Sequence, residues 1–299
     1  VSFQDCVSSE SKWNAFTNAA VASSEAGMAM WLYDEKGYPS GNAGGLVLKD
    51  HPEWQARGLL IADAKVNGGN MTLAVPPGTL RLAAAFPLRQ KTIRLADRLD
   101  LSKQIENGAL KWNAPDGLWH VMVITESPLF EGTHAALNLA DRVPYINLLQ
   151  PEPTARFLEL THQRYAARLA DNLGHWFQST FTDEPSLMSL FLRPMPYRVL
   201  PWAENLRVEW EKRTHRPYLE LLPALVADAG SEGAGARYAF WQTVGDLVSK
   251  NYFGQIQNWC QRHQIRSGGH LLMEEDTASH TGLYGDFFQC LRHLDAPSI

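Results

Sequence analysis

The segment Phe181-Thr182-Asp183-Glu184-Pro185 constrains the fold more than any other part of this chain. Ser179 to Thr182 favours an extended backbone, and Pro185, three residues on, cannot donate to a sheet ladder. The two acids are therefore expected at the C-terminal end of a strand. A second run, His270-Leu271-Leu272-Met273-Glu274-Glu275-Asp276, again ends in carboxylates. In a (β/α)8 barrel the side chains at such strand ends converge on one pocket. Two carboxyl groups across a pocket can divide acid and base work: one protonates a leaving oxygen while the other activates water or attacks carbon, as glycosidic bond cleavage requires.

Around these runs the pattern alternates between helix and strand. Ser11 to Ser24 carries Trp13, Phe16, Ala20 and Val21 at helical spacing and feeds a buried-strand pattern over Gly27 to Asp34. The loop after it, Glu35 to Gly45, is dense in glycine and proline, and long loops after strands build pockets. From about Ala56 to Pro115, short β-prone pieces are separated by Asn-Gly-Gly and Pro-Pro-Gly turns, which reads as an all-β insertion. Trp119 to Thr125 resumes the buried-strand pattern and is read as a return to the barrel. Pro151 to Leu173 is read as one helix stopped by Gly174, and His175 to Thr182 as the next strand. Helices are expected over Trp202–Arg213, Arg237–His263 and Tyr284–His293, a mobile Gly/Ala-rich loop over Asp228–Ala236, and a strand over Arg266–Met273. The expected fold is α/β: a (β/α)8 TIM-barrel catalytic domain, incomplete within this chain, with a β-rich insertion after the first strand. Its parts are residues 1–55 (barrel), 56–115 (insertion) and 116–299 (barrel, truncated).

Composition narrows the function classes. A net charge of −5, with no basic cluster, gives no electrostatic reason to expect nucleic acid or an anionic membrane as partner. Ten Trp, nine Tyr and twelve Phe supply flat faces against which sugar rings stack, although most belong to a core. Cys6, Cys260 and Cys290 lack metal-ligand spacing and suggest no disulfide framework. Gly41, Gly44 and Gly45 are not followed by the Lys-Ser/Thr of a phosphate-binding loop, and no Gly-x-Ser-x-Gly elbow is present. Val1 and Ile299 are read as cuts in a longer polypeptide.

Among the acids, Glu184 is the expected proton donor, its pKa raised by Asp183 and nearby aromatic walls. Alternation along a strand lets only one of these neighbours face the pocket. Glu274, Glu275 and Asp276 in a row repel one another unless a cation lies among them, and Ca²⁺ takes carboxylate oxygens. The competing interpretations are solvated acids capping helices, or a non-catalytic carbohydrate-binding barrel.

Four ordered blocks, Trp31 to Gly45, Phe157 to Tyr165, Phe181 to Pro185 and Gly269 to Glu275, resemble glycoside hydrolase family 106, the α-L-rhamnosidases. The resemblance implies a (β/α)8 catalytic domain with a β-rich insertion, carried in a much longer polypeptide with further domains. It also implies calcium at the sugar site, an inverting mechanism using two glutamates, and a periplasmic or extracellular setting. Glu184 matches the block expected to hold the general acid. Glu274 or Glu275 matches a block that supplies the base or binds calcium; in the second case the base lies beyond Ile299. Asp34, Glu35, His162, Asp183 and His270 match pocket contacts.

Overall fold

Residues 9–138 and 142–298 are described by the computed structural model. They sort into two units, one of residues 1–56, 129–193 and 244–299, the other of residues 57–128 and 194–243. Cys6 lies outside the described residues, while Cys260 and Cys290 are buried free thiols. Among the described residues no helix is long and apolar enough to cross a membrane.

The first unit is built on a parallel sheet. Its strands are β1 (Met30–Tyr33), β7 (Phe177–Asp183), β9 (Gly268–His270) and β10 (Ala296–Pro297), in that spatial order, each pair parallel. Leu32, Thr180 and Thr182 point to a buried side, where Thr180 meets Cys260 and the Thr182 hydroxyl lies 3.0 Å from that of Tyr252. Trp31, Tyr33 and Phe181 occupy the alternate positions, where Phe181 stacks on Tyr33 and lies tilted against Trp31. Strand β9 comes close to β7 because it opens with two glycines. A Cβ on Gly268 would fall 2.3 Å from Ser179 Oγ, and one on Gly269 would fall 2.1 Å from the Thr182 carbonyl. That approach brings His270 into register beside Asp183.

The second unit is an antiparallel sheet of β2 (Arg57–Ala74), β3 (Thr79–Pro87), β4 (Leu99–Asp100), β5 (Ile105–Glu106), β6 (Ala109–Pro128) and β8 (Arg198–Trp202). Ala83, Ala85, Leu110, Val121 and Val123 form its core, with Trp112 and Trp119 packed against them. Here the expected boundary at Pro115 fails: Trp119 to Thr125 is no barrel strand but the centre of β6, paired antiparallel with β2 and β3. Pro115-Asp116-Gly117 reads as a break, yet the ladder steps over it as a bulge, from Asn67↔Leu118 to Gly69↔Ala114. An apolar run buried on both faces looks the same in a parallel and a central antiparallel strand.

Two helix expectations and one loop expectation are also revised. Pro151–Leu160 and His162–Leu169 are separate helices broken at Thr161, and Gly174 lies within a third, Leu173–Trp176. A Cβ on Gly174 would sit 2.8 Å from the His263 carbonyl, so close packing rather than helix termination explains that glycine. The Gly/Ala-rich segment after Asp228 is not a loop: Gly230–Val248 is helical, started by the Asp228 carboxylate accepting the Gly230 N–H at 2.8 Å. Tyr284–His293 is two short helices, His280–Tyr284 and Phe287–Leu291.

Candidate active site

The C-terminal ends of β1, β7 and β9 place five side chains together. Asp183 closes β7, and its Oδ2 accepts the Tyr33 hydroxyl at 2.7 Å while its Oδ1 lies 2.9 Å from His270 Nε2. The same Nε2 is 4.0 Å from Glu184 Oε1, and His270 Nδ1 is 3.5 Å from Glu274 Oε1. One imidazole thus faces three carboxylates, each between about a fifth and a quarter exposed: Asp183 21%, Glu184 21% and Glu274 22%.

Neighbouring acids were expected to point to opposite sides, but both Asp183 and Glu184 reach His270. Glu184 has left the strand: its φ is +47°, a left-handed conformation that cancels the alternation. Its N–H donates to the His270 carbonyl at 3.3 Å, and its own carbonyl lies 3.3 Å from Nε2 of buried His134. Burial, followed by the charges of Asp183 and Glu274, raises the Glu184 carboxyl above its ordinary pKa against the opposing pull of His270. Burial disfavours a charge on His270 too, yet its acidic neighbours raise its pKa on balance. Tyr38, a neighbour of Glu184, is pushed up to about 12 by burial and by the charges of Glu184 and Asp183. A carboxylic acid whose burial favours its protonated form is equipped to donate that proton to a departing oxygen.

Asp34, Glu35 and His162 do not join this cluster as pocket contacts. Glu35 is buried, and the loop folds round it: Oε1 accepts the N–H groups of Lys36 and Gly44, and Oε2 those of Gly41, Asn42 and Ala43, at 2.6–3.2 Å. Five donors occupy the carboxylate, and through them it organises the loop Glu35 to Gly45. Asp34 and His162 are about 1% exposed on the buried side of the sheet. His134, Tyr33 and Tyr38 were missed by sequence reasoning. His134 stands in no motif, and the two tyrosines read as strand and loop aromatics.

The run Glu274-Glu275-Asp276 separates in space. Glu274 turns to His270 and Glu275 is exposed, while Asp276 caps the next turn by accepting the Ala278 N–H and the Ser279 hydroxyl. Met273 has φ +57°, which turns the chain at the start of the run. Among the described residues no group of three or more His, Cys, Asp or Glu side chains is arranged to hold a metal ion. Of this run Asp276 is engaged by N–H and O–H donors, whereas exposed Glu275 and partly exposed Glu274 keep carboxylate oxygens of the kind Ca²⁺ takes.

A family model described as α-L-rhamnosidase, glycoside hydrolase family 106, matches residues 80–298. Among solved structures, the chain is similar to a rhamnosidase from Novosphingobium sp. PP1Y at 18% identity and a TM-score of 0.42. The match covers 68% of this chain and 19% of that one, so the chain spans about a fifth of that protein's length. A comparison with curated proteins gives no match.

Proposed function

The chain belongs to glycoside hydrolase family 106, and from that membership we propose that it supplies acid and base groups for hydrolysing a terminal α-L-rhamnoside, or a related deoxysugar linkage, of a poly- or oligosaccharide. The observation that carries the reading is the crowding of Asp183, Glu184 and Glu274 about one imidazole at the ends of adjacent parallel strands. Protonated Glu184 donates to the glycosidic oxygen as positive charge builds on the ring. Glu274, on the other nitrogen of His270, deprotonates water at the opposite face; exposed Glu275 is the weaker candidate for base. Asp183, held by Tyr33 and His270, fixes the imidazole and with it the spacing of the two glutamates. Trp31 and Tyr33, 40% and 39% exposed, offer ring faces to a sugar's C–H surface.

The (β/α)8 barrel belongs to the same proposal. Four parallel strands whose acids gather at one end are what part of such a barrel presents. Export to the periplasm or cell exterior, further domains of the same polypeptide and a calcium ion are proposed on family resemblance alone. No step above passes through the metal.

A proton NMR progress curve of the full-length protein with an aryl α-L-rhamnoside tests the reading. The β-anomer released first is expected for inversion, the α-anomer first refutes inversion, and binding without turnover leaves a carbohydrate-binding module. The same assay after chelation and readdition of Ca²⁺ tests the metal.

A further inference from the structure

Beneath the strand-end acids two buried polar atoms face each other without hydrogen bonds: Asp34 Oδ2 and His162 Nε2, 3.8 Å apart. Both side chains are enclosed, at 1% and 0% exposure, with Phe157 and Trp259 ringing the imidazole. The surrounding hydrogens identify where protons can be. The Thr161 hydroxyl donates its single hydrogen to the Phe157 carbonyl at 2.7 Å, so toward His162 Nδ1, also 2.7 Å away, it accepts. Nδ1 therefore carries hydrogen, and Nε2 of a neutral ring is a bare acceptor. On the other side, Ser40 Oγ accepts the Asp183 N–H at 2.8 Å and donates to Asp34 Oδ1 at 2.6 Å. Oδ2 has no partner at hydrogen-bond geometry. An ionised Asp34 would set two lone pairs against each other in a dry site, which a single proton between them relieves.

We propose that Asp34 is kept as the neutral acid, its Oδ2–H donated to Nε2 of a neutral His162, and that this buried pair positions Asp183 through Ser40. The contact closes from 3.8 Å to hydrogen-bond length by a small movement of either side chain. An imidazolium facing a carboxylate is the arrangement it excludes, since burial without further partners disfavours both charges. Consistently, burial holds the Asp34 carboxyl well up and pulls His162 down to about 3. Hydrogen bonding from Ser40 and from Thr182 favours the charged form of Asp34, but burial together with Glu35 and Asp183 outweighs it, and His263 acts against a charge on His162. Tyr145, Tyr252 and Cys260, the other titratable groups around the pair, are themselves pushed upward by burial and keep their protons.

Asp34→Asn is the test, because an amide keeps an acceptor for Ser40 and a donor for His162. A folded state that holds a proton on Asp34, against an unfolded state that releases it above the ordinary carboxyl value of 3.8, loses stability as pH rises. The parent's unfolding constant, relative to that of Asp34→Asn in the full-length protein, is expected to grow by up to about tenfold per pH unit above pH 4. No relative change, or growth in the opposite sense, overturns the proposal. Should the variant not fold, ¹⁵N NMR of the histidine rings in the parent decides, with His162→Gln for assignment. A neutral ring protonated at Nδ1, unchanged across mild acid to neutral pH, is expected, and a doubly protonated ring refutes it. The positioning role rests on the glycosidase reading and is tested apart from the proton. Asp34→Ala is expected to lower kcat about tenfold with KM little changed, and Asp34→Asn to restore most of it, the weight of one buried hydrogen bond. An unaltered kcat in Asp34→Ala refutes the positioning role while leaving the stability arm intact.

Discussion

The two sheets of this molecule treat their acids in opposite ways. In the antiparallel sheet Glu126, 9% exposed, lies between Arg57 and Arg81, with Nε contacts of 2.6 and 2.9 Å. Asp63 is likewise bracketed, by Arg198 and His120 at 2.7 Å each. Burial works against the Asp63 charge, but those two partners hold its carboxyl below the ordinary value. At the ends of the parallel strands three carboxylates share one imidazole, and burial raises Glu184. Acids matched by arginine lock a fold, whereas burial among like charges favours an acid that keeps a proton it can give away.

The sharpest way to break this contrast is Glu184→Gln, which keeps the shape of the side chain and removes the transferable proton. In the full-length protein kcat toward a rhamnoside with a poor leaving group is expected to fall about 10²–10⁴-fold. An activated aryl leaving group needs little protonation and should lose far less. Equal losses on both substrates would show that Glu184 is not the acid.

His270→Gln probes the shared imidazole and should have the next largest effect. Loss of the imidazole frees Asp183 and leaves three carboxylates to repel one another, so kcat/KM is expected to drop about 10–100-fold. The pH profile carries the more specific sign. His270 lowers the Glu184 pKa, so its removal lets Glu184 stay protonated to higher pH. A general acid fails as pH rises through its pKa, and the alkaline limb of the rate profile should therefore move upward. A limb that stays in place would detach His270 from the acid's titration.

Much of the parallel sheet's rim was legible because its signals are local. The helix Glu10–Glu25, strand β1 and the acids closing β7 follow from spacing, and each was expected within a few residues of where it lies. What sequence did not yield depends on backbone turns and on chain segments far apart. The left-handed Glu184 brings two neighbouring acids to one histidine, and Met273 divides Glu274 from Glu275. The loop closing on Glu35 gives that acid a scaffolding role which its place after a strand does not announce. His134 enters the site from residues 134–137, with nothing in its neighbours to announce it. The centre of β6 was misread because its surroundings, rather than its own residues, decide whether its neighbours run parallel.

The smallest effect should come from the matched acids. Glu126→Gln leaves one acceptor for two guanidinium groups, removing charge-assisted bonds from a side chain only 11% exposed. Full burial would make this severe, but Arg57 and Arg81 are 33% and 35% exposed and can turn to water. A loss of roughly 1–3 kcal/mol in unfolding free energy is expected, toward the lower end. Below the unfolding transition kcat should be unchanged, since Glu126 belongs to the unit that holds none of the strand-end acids. Urea titration combined with kcat at low temperature separates the two quantities. If Glu126→Gln lowered kcat as strongly as stability, the antiparallel sheet would take part in the chemistry, and the division between locking acids and reacting acids would fail.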